Sequence, residues 1–192
     1  GKAAGEVTMY DLVRNALRQR PDYIIVGEVR GKEAHTMFQA MATGHTTYST
    51  MHADSVESMV HRLENPPINC PRVLLTALNF VIIQTFARIK GEEVRRIQEI
   101  TELVGFEPES DELITNTVFE WNRKSDDYVY KGHTFNFDTI QEMKNYTQEE
   151  MTEEFNKRIE IIEYLVEEDK TDYKEISKIV TSYYKEPEKT LK

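Results

Sequence analysis

The feature that most constrains the fold is the apolar run from Tyr23 to Val26, which is followed at once by Gly27 and Glu28. A short, continuous apolar run of this kind predicts a strand that is fully buried in a parallel sheet. In open α/β sheets, ligands bind beyond the carboxyl ends of the strands. A carboxylate at that position can orient a water against a bound phosphate, as in P-loop ATPases. The run therefore predicts an α/β fold with nucleotide chemistry at the tip of this strand.

The surrounding sequence predicts that helices and strands alternate. Thr8 is a predicted helix cap, and Asp54 or Ser55 is the predicted cap of a later helix. Besides the first strand, the predicted elements are a helix from Lys32 to Met41, a strand from Thr46 to Met51 and a helix from Val56 to Leu63. This alternation with short connections predicts βαβ units, hence a mainly parallel sheet with flanking helices.

A different pattern begins after Pro71. The predicted elements of this part are strands over Phe80–Ile83 and Val94–Leu103, a β-hairpin that joins Val118–Trp121 to Tyr128–Tyr130, and helices opened by a capping box at Thr147–Glu150 and by Asp172. The change from a strand period to a helical period favours a boundary near residue 138. We therefore expect two domains: an α/β portion over residues 1–137 and an acidic α-helical subdomain over residues 138–192.

Composition narrows the class of protein. The chain has 192 residues and one cysteine, Cys70, which excludes an internal disulfide and a zinc site built from several thiolates. No apolar run approaches the roughly 18 residues of a membrane span. The formal net charge is +1 over residues 1–100 and −11 over residues 101–192, which together make −10. An acidic second half disfavours direct nucleic-acid binding. From the single cysteine and the absence of a long apolar run, we expect a cytoplasmic protein.

Glu28 is the strongest candidate for chemistry, because a carboxylate after a buried strand and a glycine can position water for attack on a γ-phosphate. His45 and His52 lie at opposite ends of a predicted strand, so they are poor joint ligands for one metal. His52 falls at the same sheet edge as Glu28, where an imidazole can donate a hydrogen bond to a γ-phosphate. The alternatives are a solvated Glu28 paired with Arg30 and a His52 satisfied by a backbone carbonyl. Arg30 and Arg62 are candidates for contact with a nucleotide or a neighbouring subunit, or they form structural ion pairs.

Two of these segments, taken in order, resemble motifs of the ATPase superfamily of type II and type IV secretion systems, which includes pilus motors and the archaeal flagellum (archaellum) motor. The segment Leu17–Arg30 resembles the family's Walker B motif, with Gly27 where many other P-loop ATPases have an aspartate. The segments Ala42–His45 and Thr50–Ala53 resemble its His box. The tract Arg95–Ile100 resembles the strand that follows these motifs in the family. The sequence is most similar to the archaeal branch, and the hairpin segments Phe119–Asn122 and Asp126–Tyr128 and the late helix ending in Tyr183 and Tyr184 also resemble its members.

This resemblance implies the C-terminal part of a RecA-like P-loop ATPase core, followed by a small α-helical subdomain. Glu28 matches the family's catalytic glutamate and His52 the box histidine that senses the γ-phosphate, whereas Arg30, His45 and Arg62 would contact the nucleotide or a neighbouring subunit. The implied cofactors are ATP and Mg²⁺, with Mg²⁺ held mainly by residues upstream of this chain. The implied assembly is a homo-hexamer at the cytoplasmic membrane that works with an integral-membrane platform protein and, indirectly, with pilin-like or flagellin-like subunits.

The chain departs from the family at its front. No G-x-x-x-x-G-K-[ST] phosphate loop occurs in the sequence, and the family's N-terminal domain and acidic "Asp box" are missing as well. Gly1–Gly5 is therefore interpreted as an arbitrary start within a longer motor, and the isolated chain is expected to be inactive. Two other functions stay open: a DNA-transfer or type IV secretion ATPase with the same core, and a non-hydrolysing interaction module that docks on a membrane platform protein.

Overall fold

The computed structural model describes residues 5–110 and 112–187. The chain divides into two compact units, Gly1–Asn136 and Phe137–Lys192. The assignment of residues 1–137 to a RecA-like core portion and of residues 138–192 to an acidic helical subdomain stays a prediction. The interpretation of Gly1–Gly5 as an arbitrary start falls almost entirely on residues 1–4, which lie outside the described part of the chain.

The first unit begins with alternating helices and strands and continues with strands alone. Its elements are α1 (Met9–Ala16), β1 (Tyr23–Val26), α2 (Glu33–Ala42), β2 (Thr46–Ser49), α3 (Val56–Glu64), a 3₁₀ helix (Arg72–Ala77), β3 (Phe80–Ile89), β4 (Glu92–Phe106), β5 (Leu113–Asn122) and β6 (Asp127–Tyr130). The predicted α/β class is therefore confirmed.

A parallel strand pair forms the part of the first unit that matters most for function. β1 pairs with β2 from Tyr23 opposite Thr46 to Val26 opposite Ser49, and α2 is the crossover that parallel pairing requires. Both neighbouring helices begin at capping boxes, in which Thr8 accepts the backbone N–H of Asp11 and Ser55 that of Ser58. The strand, the crossover helix and both caps agree with the sequence-based expectation.

The hydrophobic core of this unit lies against one face of the strand pair. α2 packs against α1, β2 and the 3₁₀ helix, and the core includes Ile24, Val26, Ala34, Met37, Phe38, Leu63 and Leu75. The opposite face is open: Tyr23 is 62% exposed and Ile25 77% exposed. The prediction of a strand buried on both faces is thus wrong, because no element among the described residues covers that second face. Tyr23 there packs against Tyr48, with ring centroids 6.4 Å apart.

The larger sheet is antiparallel, with strand order β3-β4-β5-β6. Parallel pairing among the described strands is therefore limited to β1 and β2, and the expectation of a mainly parallel sheet is corrected. The reason is the short turns that join successive strands after Pro71, since only antiparallel neighbours can be joined in this way. The predicted hairpin is confirmed as β5 and β6. Its turn is fixed by Asp126, which accepts hydrogen bonds from Arg96 and Trp121.

One carboxylate is completely enclosed in this sheet. Glu102 on β4 is 0% exposed, and its oxygens accept hydrogen bonds from Asn116, Thr134, Phe135 and Asn136. Burial alone would raise the pKa of Glu102, but these donors hold it at about 2. The charge is therefore retained inside the fold because every oxygen has partners.

The second unit is helical. Its main helices are α5 (Gln148–Glu167) and α6 (Tyr173–Lys185), preceded by α4 (Phe135–Lys144), whose first residues belong to the first unit. The predicted capping box at Thr147 and the predicted cap at Asp172 are both observed. Tyr183 of α6 is buried and lies 5.4 Å from the guanidinium of Arg158 on α5. None of the helices in the described residues is both long and apolar enough to cross a bilayer.

Candidate functional site

The candidate site lies just beyond the carboxyl ends of β1 and β2. The strand pairing continues past the sheet, because the Val29 N–H donates to the Thr50 carbonyl at 2.9 Å. In addition, the Thr50 hydroxyl donates to the Gly27 carbonyl at 2.5 Å. These two bonds hold the backbone on either side of Glu28 next to the segment that leads to His52. The site therefore forms where two parallel strands end side by side, as expected for α/β sheets.

Both carboxylate oxygens of Glu28 have a partner. Arg30 donates from Nη2 to Oε2 at 2.5 Å, and Nε2 of His52 lies 3.3 Å from Oε1. The side chains of Arg30 and His52 are largely in solvent, with 72% and 80% of their surface exposed, whereas that of Glu28 is 28% exposed. The hydrogen bond from Arg30 lowers the pKa of Glu28 below its ordinary value, with further help from the charges of Arg30, His52 and Arg62.

Arg62 joins this group through the backbone. It lies in the last turn of α3, and its Nη1 donates a hydrogen bond to the carbonyl oxygen of His52. Arg30 and His52 therefore contact the carboxylate directly, and Arg62 adds a positive charge nearby. The structure brings together four of the five residues that the sequence singles out.

His45 is the residue that stands apart. It precedes β2, at the end opposite His52, and its Nδ1 lies 3.3 Å from the hydroxyl of Thr43. This confirms that the two histidines occupy opposite ends of one strand. None of the contacts recorded for the described residues joins His45 to Glu28, so its contact with a nucleotide or a subunit stays a prediction.

Sequence reasoning missed Glu33, which supports the loop after Glu28. Glu33 is 8% exposed, and its Oε1 accepts the backbone N–H groups of Arg30 at 2.7 Å and of Gly31 at 2.8 Å. Burial would raise the pKa of Glu33, but the backbone N–H groups of Arg30, Glu33 and Gly31 hold it below the ordinary value. Lys32, the cap residue of α2, makes no side-chain capping bond, and Glu33 instead bonds the backbone of the loop before the helix. An acidic residue in the first turn of a predicted helix was the available signal.

The exposed donors suit a phosphate better than a metal. Guanidinium groups bind phosphate oxygens through two parallel hydrogen bonds. Arg30 and Arg62 carry such groups at this strand edge, beside the imidazole of His52. Among the residues that the structure describes, no group of three or more His, Cys, Asp or Glu side chains is arranged to hold a metal ion. The site thus fits the phosphate end of a nucleotide, while the described residues do not form a Mg²⁺ ligand set.

Comparisons with known proteins identify a family match over nearly the whole chain. Residues 2–190 match the model of the family described as "Type II/IV secretion system protein". An uncharacterized protein of Methanocaldococcus jannaschii is 40% identical over 178 residues, which cover 93% of this chain and 66% of that protein. The type IV pilus assembly ATPase PilB of Acinetobacter baylyi is 34% identical over 108 residues, covering 54% of this chain and 18% of PilB. The Legionella pneumophila ATPase DotB shares 28% identity with a TM-score of 0.42, over 47% of this chain and 27% of DotB. The chain therefore spans less than two thirds of the length of each of these proteins.

Proposed function

The chain belongs to the type II/IV secretion system protein family, and we propose that it is the Walker B and His box segment of an ATP-hydrolysing motor subunit. In this proposal the motor powers protein secretion or the assembly of pilus-like or archaellum filaments. The observation that carries it is the Glu28 carboxylate at the tip of β1, held between Arg30 and His52. A strand-end carboxylate surrounded by phosphate-binding donors is the arrangement that a nucleotide hydrolase needs.

Each residue of the site has a role in this proposal. Bound ATP with Mg²⁺ would supply the phosphoryl group. Glu28 orients the attacking water and accepts its proton as the new bond to the γ-phosphorus forms and the bond to the leaving diphosphate breaks. His52 donates a hydrogen bond to a γ-phosphate oxygen and thereby reports whether that phosphate is present. Arg30 must release one Glu28 oxygen before Glu28 can act, and its guanidinium is then available for phosphate.

The setting of the motor is part of the same proposal. The relative named PilB is a type IV pilus assembly ATPase, and relatives named type II secretion system protein E occur in Klebsiella pneumoniae and Dickeya dadantii. By analogy with them, we place the parent protein on the cytoplasmic side of a membrane, as a homo-hexamer with a RecA-like core. It would act there on an integral-membrane platform protein and, through that protein, on pilin-like or flagellin-like subunits. Mg²⁺ would be held mainly by residues outside this chain.

The test is Glu28→Gln in a longer family chain that carries this segment behind a phosphate loop. A positioned general base contributes roughly 10²–10⁴-fold, so we expect turnover to fall by about that factor while ATP binding persists. The matched control is Glu93→Gln, because Glu93 also pairs with an arginine, Arg88, on an exposed surface. Turnover of the Glu28→Gln protein within a few-fold of the parent, with the control unchanged, would show that Glu28 is not the base.

The 192-residue chain by itself has a different expected behaviour. Without the backbone N–H groups and the lysine of a phosphate loop, it lacks most of the charge complementarity to ATP. We expect a dissociation constant for MgATP no tighter than about 1 mM, without hydrolysis and without a stable hexamer. Calorimetry and light scattering measure these properties. Micromolar binding would mean that the nucleotide site lies elsewhere than at the tip of β1.

A further inference from the structure

We propose that Thr50 is a positioning residue, whose hydroxyl sets the place of the Glu28 carboxylate between Arg30 and His52. The catalytic meaning of this inference rests on the function proposed above for Glu28. The geometric part of the inference does not depend on that function, because it concerns only the hydrogen bonds that fix the backbone around Glu28. Thr50 itself touches none of the proposed reacting atoms and acts through Gly27.

Thr50 is hydrogen-bonded to both residues that flank Glu28 in the sequence. Its hydroxyl donates to the carbonyl of Gly27, the residue before Glu28, at 2.5 Å. Its carbonyl accepts the N–H of Val29, the residue after Glu28, at 2.9 Å. A regular parallel ladder bonds one residue to both neighbours of the residue opposite. Here the hydroxyl of Thr50 supplies a donor at the place where a backbone N–H would stand in such a ladder.

Glu28 needs this support because it lies beyond the paired strands. The regular register ends with Val26 opposite Ser49, and Glu28 follows a glycine, the residue with the greatest backbone freedom. Rotation of the peptide between Gly27 and Glu28 would carry the carboxylate away from Arg30 and His52. A displacement of about 1 Å at a reacting group can reduce a rate by about 100-fold. A hydrogen bond at the Gly27 carbonyl therefore bears directly on the geometry of the site.

The fold depends much less on this hydroxyl than the site does. Thr50 is exposed, and surface substitutions of this kind change overall stability little. Valine has nearly the shape of threonine without the hydroxyl, and serine retains the hydroxyl. Thr47 on β2, three residues before Thr50, provides a matched control, since its hydroxyl donates to the His45 carbonyl at 3.0 Å. A simple loss of strand stability would affect the Thr47 and Thr50 variants alike.

The first experiment needs no turnover. The pKa of the Glu28 carboxyl is measured in the 192-residue chain by NMR pH titration of its side-chain carbon. Thr50→Val should raise the pKa of Glu28 towards its ordinary value, because the carboxylate would no longer be aligned with Arg30 and His52. Thr50→Ser and Thr47→Val should both match the parent. A Thr50→Val titration that coincides with the parent overturns the proposal, and so does an equal rise in Thr47→Val.

The second experiment measures hydrolysis in the longer chain that also carries a phosphate loop. Thr50→Val should lower kcat by up to about 100-fold with little change in KM, and Thr50→Ser should restore most of kcat. A change in KM alone would overturn the proposal, because positioning of a base acts on the chemical step. If Glu28→Gln hydrolyses ATP normally while the titration of Thr50→Val is shifted, the proposed function fails and the positioning of Glu28 by Thr50 stands.

Discussion

Two carboxylates in the first unit, Glu28 and Glu102, are both held by several hydrogen-bond donors, but the donors are of different kinds. Glu102 is 0% exposed, and its partners are neutral amide and hydroxyl groups from Asn116 and from residues 134–136. Glu28 has 28% of its side chain exposed, and its partners are a guanidinium and an imidazole that are themselves mostly in solvent. The pKa of each carboxyl is lowered, that of Glu102 to about 2.

The difference separates a structural carboxylate from one suited to chemistry. The donors of Glu102 are backbone N–H groups and short side chains, so they cannot leave it without a movement of the backbone. The partners of Glu28 sit on flexible, solvated side chains that can exchange one acceptor for another at small cost. A lowered pKa is therefore common to both carboxylates and does not show which of them is suited to chemistry. The mobility and charge of the partners distinguish a carboxylate that can receive a phosphate ligand from one that cannot.

The largest effect on stability is expected from Glu102→Ala. This change leaves five buried or part-buried donor groups without their acceptor, and we expect the free energy of unfolding to fall by more than about 3 kcal/mol. Glu28→Gln in the same 192-residue chain should leave the unfolding midpoint unchanged. Urea unfolding followed by circular dichroism measures both. Equal destabilisation by the two substitutions would mean that Glu28 is as much a structural carboxylate as Glu102.

The pH dependence of the free energy of unfolding provides a second test of the structural role of Glu102. Because the pKa of Glu102 is about 2 in the folded chain and 4.5 ordinarily, its ionised form stabilises the folded chain above pH 4.5. That contribution, about 3 kcal/mol at most, is lost as the pH falls from 4.5 towards 2. Unfolding measured from pH 6 to pH 2 should show this loss in the parent and little of it in Glu102→Gln. A parallel decline in both proteins would assign the acid sensitivity to other carboxyl groups.

These structural roles were not equally accessible from sequence. The apolar runs and capping residues predict β1, α2, β2 and the starts of α1 and α5, because these signals act over a few neighbouring positions. Glu102 gives no such signal, since its partners Asn116, Thr134 and Asn136 are 14, 32 and 34 residues away along the chain.

The candidate site shows the same limit. Glu28 and His52 are predictable as neighbours because the carboxyl ends of parallel strands meet at one edge. The supports of that edge, Glu33 and Thr50, depend on how a loop folds back on its own backbone, which residue spacing does not encode. The exposed face of β1 was also unpredictable, because a continuous apolar run reads the same whether one face or both are covered.

A smaller effect is expected from His52→Ala in a chain that carries a phosphate loop. The loss of one charge-assisted hydrogen bond to the γ-phosphate should reduce kcat by about tenfold and change nucleotide affinity less. The variant should also lose the nucleotide-dependent change in protease sensitivity that the parent shows. Asn145→Ala, in the second unit, serves as a control of the digestion. Identical nucleotide-dependent digestion patterns in the parent and His52→Ala would leave His52 with a structural role only.

The smallest effect is expected from Arg30→Gln on folding. Exposed ion pairs contribute little to stability, so the urea midpoint of the 192-residue chain should not change measurably. The pKa of Glu28 should rise all the same, because the hydrogen bond from Arg30 is the largest cause of its lowered value. Carboxyl NMR titration measures that rise. A clear loss of stability without a change in this pKa would place Arg30 with the structural residues around Glu102.

The hydrogen-bonded segment between β2 and His52 has a consequence for insertions and deletions in related chains. Thr50 is hydrogen-bonded to the residues on both sides of Glu28, so one added residue between Thr50 and His52 would move the imidazole relative to Glu28. The turn at Gly44, which has a φ of +90°, precedes β2 and can change length without altering this part of the chain. Insertions and deletions between Glu28 and His52 in related chains should therefore occur near Gly44. The four residues from Ser49 to His52 should keep their number wherever the histidine has the role proposed for His52.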